Sequence, residues 1–268
     1  MGKKKYFISA DLEGICDVTA WCETEKGCDG YAQAQIQMSR ETAAACEAIL
    51  EAGHEVVVRD GHDSARNILH DMLPRGVKLM RGWANDPGEM MAGIDESYAG
   101  ALYIGYHSPA GSSGSPLAHT INKNVINWMK INGKTASEFT LNSLYAAQMG
   151  VPSVFISGDA MMCSLAKEEV PGIVAAAVKE GMGDSTINMH PADACRMIKE
   201  YTAAALTLNI PVRTVPDPLV LEINLKHHQT VRAALALPGV EQTDESTVRY
   251  IAHSPREINV MRVCIMRE

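Results

Sequence analysis

At 268 residues the chain can bury one large core or two modest ones, and its 46% hydrophobic and 21% charged residues are an ordinary globular composition. A formal net charge of −8 argues against a nucleic-acid partner, which calls for a basic face. No apolar run reaches membrane-spanning length, so no membrane partner is expected.

In chain order the elements alternate strand and helix. This is the pattern of an α/β fold, with a mostly parallel central sheet flanked by helices. The start Met1-Gly2-Lys3-Lys4-Lys5 is basic, but the apolar run behind it is too short for a secretory leader. A reduced, cytoplasmic setting is therefore expected. Tyr6 to Ala10 reads as a buried strand that runs into Asp11-Leu12-Glu13-Gly14. A Cys- and Gly-containing loop follows to about Gly30, and Gln33 to Ala52 reads as a helix stopped by Gly53. His54 to Val58 is a strand ending at Asp60-Gly61-His62, Ala65 to Met72 a short helix, and Val77 to Met80 a brief strand. Ala99 to Tyr106 is a strongly apolar strand ending at His107.

The stretch Ser108 to Pro116 is rich in small residues and lacks the lysine of a phosphate-binding loop, so it reads as a flexible active-site flap or binding loop. Thr120 to Ile131 looks extended, Asn132-Gly133 is a tight-turn signal, and Ala136 to Met149 is a helix closed by Gly150. Strands at Val151 to Ile156 and Ile173 to Val178, a helix opened by Pro191, and a strand at Leu219 to Ile223 complete the reading. A composition shift near Pro211 suggests a division into residues 1–210 and a C-terminal subdomain or extension, 211–268.

Side chains on a strand alternate faces, so Asp11 and Glu13 point the same way. Two carboxylates on one side of a strand end repel each other, and a bound cation is the common remedy. Ligands in open α/β sheets gather outside the carboxyl ends of the strands, where Asp11, Glu13, His62 and His107 all fall. A lone strand-end histidine is more often structural than ligating. Separate strands each bringing a metal-type residue to one edge form a better signal, and carboxylates with imidazoles suit a transition-metal hydrolase. Glu138 opens its helix, where capping alone would favour a carboxylate. His119 follows the small-residue loop and reads either as a polar strand residue or as a catalytic imidazole.

Of the seven cysteines, Cys16, Cys22 and Cys28 are evenly spaced but match no zinc-finger pattern, so a structural reading is preferred. Fifteen methionines against three phenylalanines suggest a Met-packed core or subunit contact. No GxGxxG follows the first strand, which sets a dinucleotide site aside.

Ser9-Ala10-Asp11-Leu12-Glu13-Gly14 resembles the SxDxEG signature of the bacterial D-aminopeptidases encoded with dipeptide permeases, a family of zinc peptidases. The resemblance continues through Asp60-Gly61-His62, Gly105-Tyr106-His107, His119-Thr120, Glu138 with Leu141-Asn142, and the strand ending in Gly158-Asp159. It covers nearly the first two thirds of the chain. It implies two zinc ions per chain, with cobalt or manganese as substitutes. Asp11 would bridge them, Glu13 and His62 would complete one ion's ligands, and His107 with Glu138 the other's. His119 would be the catalytic residue, as nucleophile or general base. Asp60 is expected to support His62. Ser137 stands where the family commonly has glycine.

The implied activity is hydrolysis of short peptides with an N-terminal D-residue. The alternatives are another amide or ester hydrolysis on the same scaffold, or a non-catalytic metal-binding assembly protein. The resemblance further implies a homo-oligomer, a decameric ring enclosing a channel that admits small peptides.

Overall fold

The computed structural model describes residues 2–266. Its elements are β1 (Lys5–Ala10), α1 (Tyr31–Glu51), β2 (Glu55–Asp60), β3 (Lys78–Met80), β4 (Gly100–Tyr106), β5 (Ile126–Ile131), β6 (Lys134–Thr135), α2 (Glu138–Gln148), β7 (Ser153–Asp159), α3 (Ala160–Glu169), β8 (Val174–Met182), β9 (Ser185–Asn188), α4 (Pro191–Ala205), β10 (Leu219–Leu225), α5 (His228–Ala234), β11 (Glu241–Gln242), β12 (Thr247–Ala252) and α6 (Pro255–Met266).

The larger sheet has the order β3-β2-β1-β4-β7-β8-β9. All its pairings are parallel except that of β8 with β9. The chain builds outward from β1 through β2 to β3, then returns to place β4 on the other side of β1. That reversal opens a crevice beyond the carboxyl ends of β1 and β4, the usual ligand position in such sheets. The middle strands β4 and β7 are buried along their whole length, as strands covered by helices on both faces must be.

A second, antiparallel sheet has the order β11-β12-β10-β5-β6. In β10 the residues Leu219, Leu221, Ile223 and Leu225 are buried and those between them half-buried, the alternation of a sheet with one face on a core. Helix α2 lies between the two cores. Phe139 and Ala146, two turns apart, belong to the first, while Leu141 and Leu144 on the opposite side belong to the second. A helix apolar on both sides is a buried one.

Three local expectations need correction. Residues 65–72 form no α-helix; only a 3-10 turn at His70–Met72 is present. Asp63 and Ala65 adopt positive φ (41° and 54°), which a right-handed helix cannot contain. The extended stretch is confined to Ile126–Ile131, because Ile121 takes φ 64° and the chain turns there. The segment after His107 is no loose flap, since Ser108, Ala110, Ser115 and Leu117 are buried.

Candidate metal centre

Asp11, Glu13, His62, His107, His119 and Glu138 are all buried and come together beyond β1, β2 and β4. Asp11 and Glu13 follow β1, His62 follows β2 and His107 follows β4. Glu138 is the first residue of α2. Ser137 caps that helix by accepting from the Thr140 N–H at 3.0 Å, so the serine found in place of glycine has a structural task.

Asp11 turns its two oxygens to different histidines. Oδ1 lies 3.3 Å from His62 Nδ1, and Oδ2 lies 3.4 Å from His107 Nε2. Glu13 Oε2 is 2.9 Å from the same His62 nitrogen, and Glu138 Oε1 is 3.4 Å from the same His107 nitrogen. Ligand atoms around a tetrahedral zinc, with bonds near 2.0–2.1 Å, lie roughly 3.4 Å apart. The buried Asp11 Oδ2, Glu13 Oε2 and His107 Nε2 face only one another's carboxylates and imidazoles and find no hydrogen-bond partner outside the cluster, as polar atoms awaiting a shared cation would. The donor set therefore fits a transition-metal ion. Among the described residues, two triads whose ligand atoms converge are Asp11, Glu13 and His107, and His107, His119 and Glu138.

The backbone settles which ring nitrogen faces inward. His62 Nε2 donates to the Thr24 carbonyl at 2.8 Å, His107 Nδ1 to the Ser108 carbonyl at 3.0 Å, and His119 Nδ1 to the Leu117 carbonyl at 3.0 Å. A carbonyl only accepts, so each of these nitrogens carries its proton and the other nitrogen is turned toward the carboxylates.

Without a cation, protons fill its electrostatic role. Burial alone would lower the pKa values of His62 and His107, but facing Glu13, Glu138 and Asp11 raises both well above the ordinary value. Burial would raise Asp11, and the facing imidazoles of His107 and His62 instead hold it well below the carboxylate range. His119 behaves differently: burial, and then the charge of His107, lower its pKa. Its ring stacks on His107 at 4.1 Å between centroids, 7° from parallel, with Nε2 3.6 Å from Glu138 Oε1 and 4.0 Å from Glu13 Oε1.

The motif residues that touch no candidate ligand atom form the support. Asn142 donates to the Tyr106 hydroxyl at 2.8 Å, which bonds Ser9 Oγ at 2.7 Å, which donates to the Met90 carbonyl at 3.0 Å. The Asp159 carboxylate accepts from the Ser108 N–H and hydroxyl and from the Met162 N–H. The Ser108 carbonyl in turn takes His107 Nδ1 and the His119 N–H. Asp60 does not reach the His62 ring. It accepts from Asn67, whose amide also donates to the His62 carbonyl at 2.6 Å, so its support is indirect. Lys179, buried on β8, donates to the Glu13 and Val18 carbonyls, and burial pushes its pKa down to about 8. No sequence pattern marked Lys179 or Asn67; each comes from an element far from the residue it steadies, or from an irregular turn.

Cys16 is a buried thiol that donates to the Met189 carbonyl, its pKa pushed up to about 12 chiefly by burial. Cys22 and Cys28 are exposed, and none of the three belongs to a metal-capable group among the described residues. Above the centre lies a cleft of about 1070 Å³ whose walls include Trp21, Trp83, Lys123 and Val260.

A parallel sheet with buried carboxylates and inward-turned imidazoles at its topological switch point defines a metal-dependent hydrolase. The chain belongs to peptidase family M55, the D-aminopeptidases, whose profile matches residues 4–263. It is 30% identical over 253 residues to a D-aminopeptidase of Bacillus subtilis (strain 168), covering 92% of this chain and 91% of that protein. Its fold is similar to that of the Zn-dependent D-aminopeptidase DppA from Bacillus subtilis, described as a self-compartmentalizing protease. That likeness has a TM-score of 0.91 at 27% identity and covers 98% of both chains.

Proposed function

We propose that this protein is a cytoplasmic, zinc-dependent D-aminopeptidase that holds two zinc ions per chain and releases the N-terminal D-residue of short peptides. The observation that carries the reading is the division of labour at Asp11. One oxygen stands with His62 and Glu13, the other with His107 and Glu138. In this reading Asp11 would be shared between the two ions, Glu13 and His62 would complete one ion's protein ligands, and His107 and Glu138 the other's. When bound, the ions supply Lewis acidity for the scissile carbonyl and make a neighbouring water more acidic.

His119 is the catalytic residue. Its Nδ1 proton is committed to Leu117, so Nε2 alone can take up a proton or attack. Burial, and then the charge of His107, lower its pKa, which favours the unprotonated form of that nitrogen. Trp21, edge-on to His119 at 5.2 Å, shields the imidazole from water on one side. Residues 1–210 carry this chemistry, and the C-terminal part, 211–268, contributes β10, β11 and β12 to the second sheet. The likeness to a self-compartmentalizing protease supports a homo-oligomer, with a decameric ring as the form proposed.

The test is a panel of D- and L-aminoacyl amides on zinc-loaded protein, with metal counted per chain. We expect turnover of D-substrates and about two ions per chain. Strict L-preference would end the D-aminopeptidase reading, and a single ion per chain would end the bridging role of Asp11.

A further inference from the structure

We propose that Lys123 receives the free C-terminal carboxylate of the short peptide substrate; this rests on the aminopeptidase reading above. Lys123 lines the same cleft as Asp11, Glu13 and His119. Its ammonium sits 3.9 Å from the centre of the Trp21 ring, and that ring meets His119 at 5.2 Å. Laid end to end, the two distances keep the ammonium within about 9 Å of the catalytic imidazole. In a dipeptide the free carboxylate belongs to the residue just after the scissile carbonyl, about 3.8 Å further along by Cα spacing. A tripeptide carries it roughly 3.5 Å further still, so the carboxylate of either short peptide falls inside that span.

The spacing is held by the backbone. The Ile121 N–H donates to Glu138 Oε1 at 2.7 Å, which ties the segment carrying Lys123 to the metal centre itself. On the far side the Val125 and Ile126 N–H groups donate to the Asn122 carbonyl, and Lys226 and His227 donate to the Lys123 and Asn124 carbonyls. Lys123 therefore stands at a set distance from the reacting groups.

Its charge is available. Nζ donates to Glu25 Oε1 at 2.7 Å, but the Glu25 side chain is half exposed, and exposed ion pairs contribute little. An ammonium has three donors, so a second carboxylate can share it or displace the first. Elsewhere the cleft wall carries Asp63 and Asp86, which repel a carboxylate, and the exposed Lys26, whereas Glu89 is paired with Arg262. The alkyl stem of Lys123 is packed, the side chain being 29% exposed, so little rotamer freedom is lost on binding.

The experiment compares KM for D-alanylglycine and D-alanylglycinamide on the zinc-loaded wild type, K123M, K123R and E25Q. We expect the wild type to favour the acid about fivefold or more. K123M should bring the two KM values within twofold, K123R should restore the preference, and E25Q should widen it by freeing the ammonium. A preference that survives K123M overturns the assignment. Should K123M not fold, an unchanged ratio in E25Q does the same. Wild type that cleaves both equally sinks Lys123 alone and leaves the aminopeptidase reading standing. Wild type that cleaves neither ends that reading and this proposal together.

Discussion

Each oxygen of Asp11 meets a different imidazole, and each imidazole is oriented from behind by a backbone carbonyl. Removing Asp11 therefore dismantles both halves of the centre, whereas removing His119 takes away a group whose neighbours keep their own partners. We predict that Asp11→Ala loses both bound zinc and activity, and that His119→Ala loses activity by a hundredfold or more while keeping most of its zinc. Metal analysis of the two purified variants checks this; equal zinc loss in both contradicts the division of roles. At this scale the candidate residues were readable because separate strands each bring an acidic or imidazole side chain to one sheet edge, a convergence that a lone structural histidine does not produce. Lys179 was not readable. A lysine in an apolar strand announces neither its burial nor the carbonyls it meets 166 and 161 residues away.

Strands β1, β4 and β7 approach so closely beneath the centre that only hydrogen fits at certain positions. A Cβ on Gly158 would overlap the Tyr106 carbonyl, and one on Gly14 would overlap the carbonyls of both Tyr106 and Gly105. The Gly14 N–H donates to the Gly105 carbonyl at 2.8 Å, so the turn after the acidic pair is seated directly on β4. We predict that Gly158→Ala destabilises the fold by about 2 kcal/mol or more, measured by chemical denaturation. A change within experimental error would show that the strands can part at no cost. Most long elements followed their periodicity, including α1, β4, α2 and α4. The short helix expected over 65–72 failed because Asp60 takes the N–H groups of Asn67 and Ile68 for itself, and this holds the chain in a turn. Side-chain capture of backbone donors leaves no periodic trace in a sequence.

Across the whole molecule the buried charges need a counterpart. In the stripped protein it is the protons on His62 and His107, whose pKa values lie well above the usual 6.5. Stability gained this way is fully present below the unfolded value and is lost as pH rises through the raised folded value. We predict that chelation lowers Tm, and that the stripped protein loses further stability toward alkaline pH while the zinc-loaded form does not. Zinc uptake near pH 7 should expel roughly two protons per chain, so affinity rises with pH. Calorimetry in two buffers of different ionisation enthalpy measures this, and zinc binding without proton release would contradict it.

The amino-acid sequence by itself determined the alternation of strands and helices, the acidic and imidazole residues at strand ends, and the family they resemble. These are local properties: hydrophobic period, turn chemistry and the identity of a few side chains. Only the tertiary structure decided that Asp11 divides its oxygens between two histidines, which ring nitrogens turn inward, and that β5 and β6 join β10, β11 and β12 in a second sheet. The Asp11 contacts and the pairing of β5 with β10 join residues some fifty to one hundred positions apart. Their geometry follows from how the packed layers meet, which no short stretch of chain encodes.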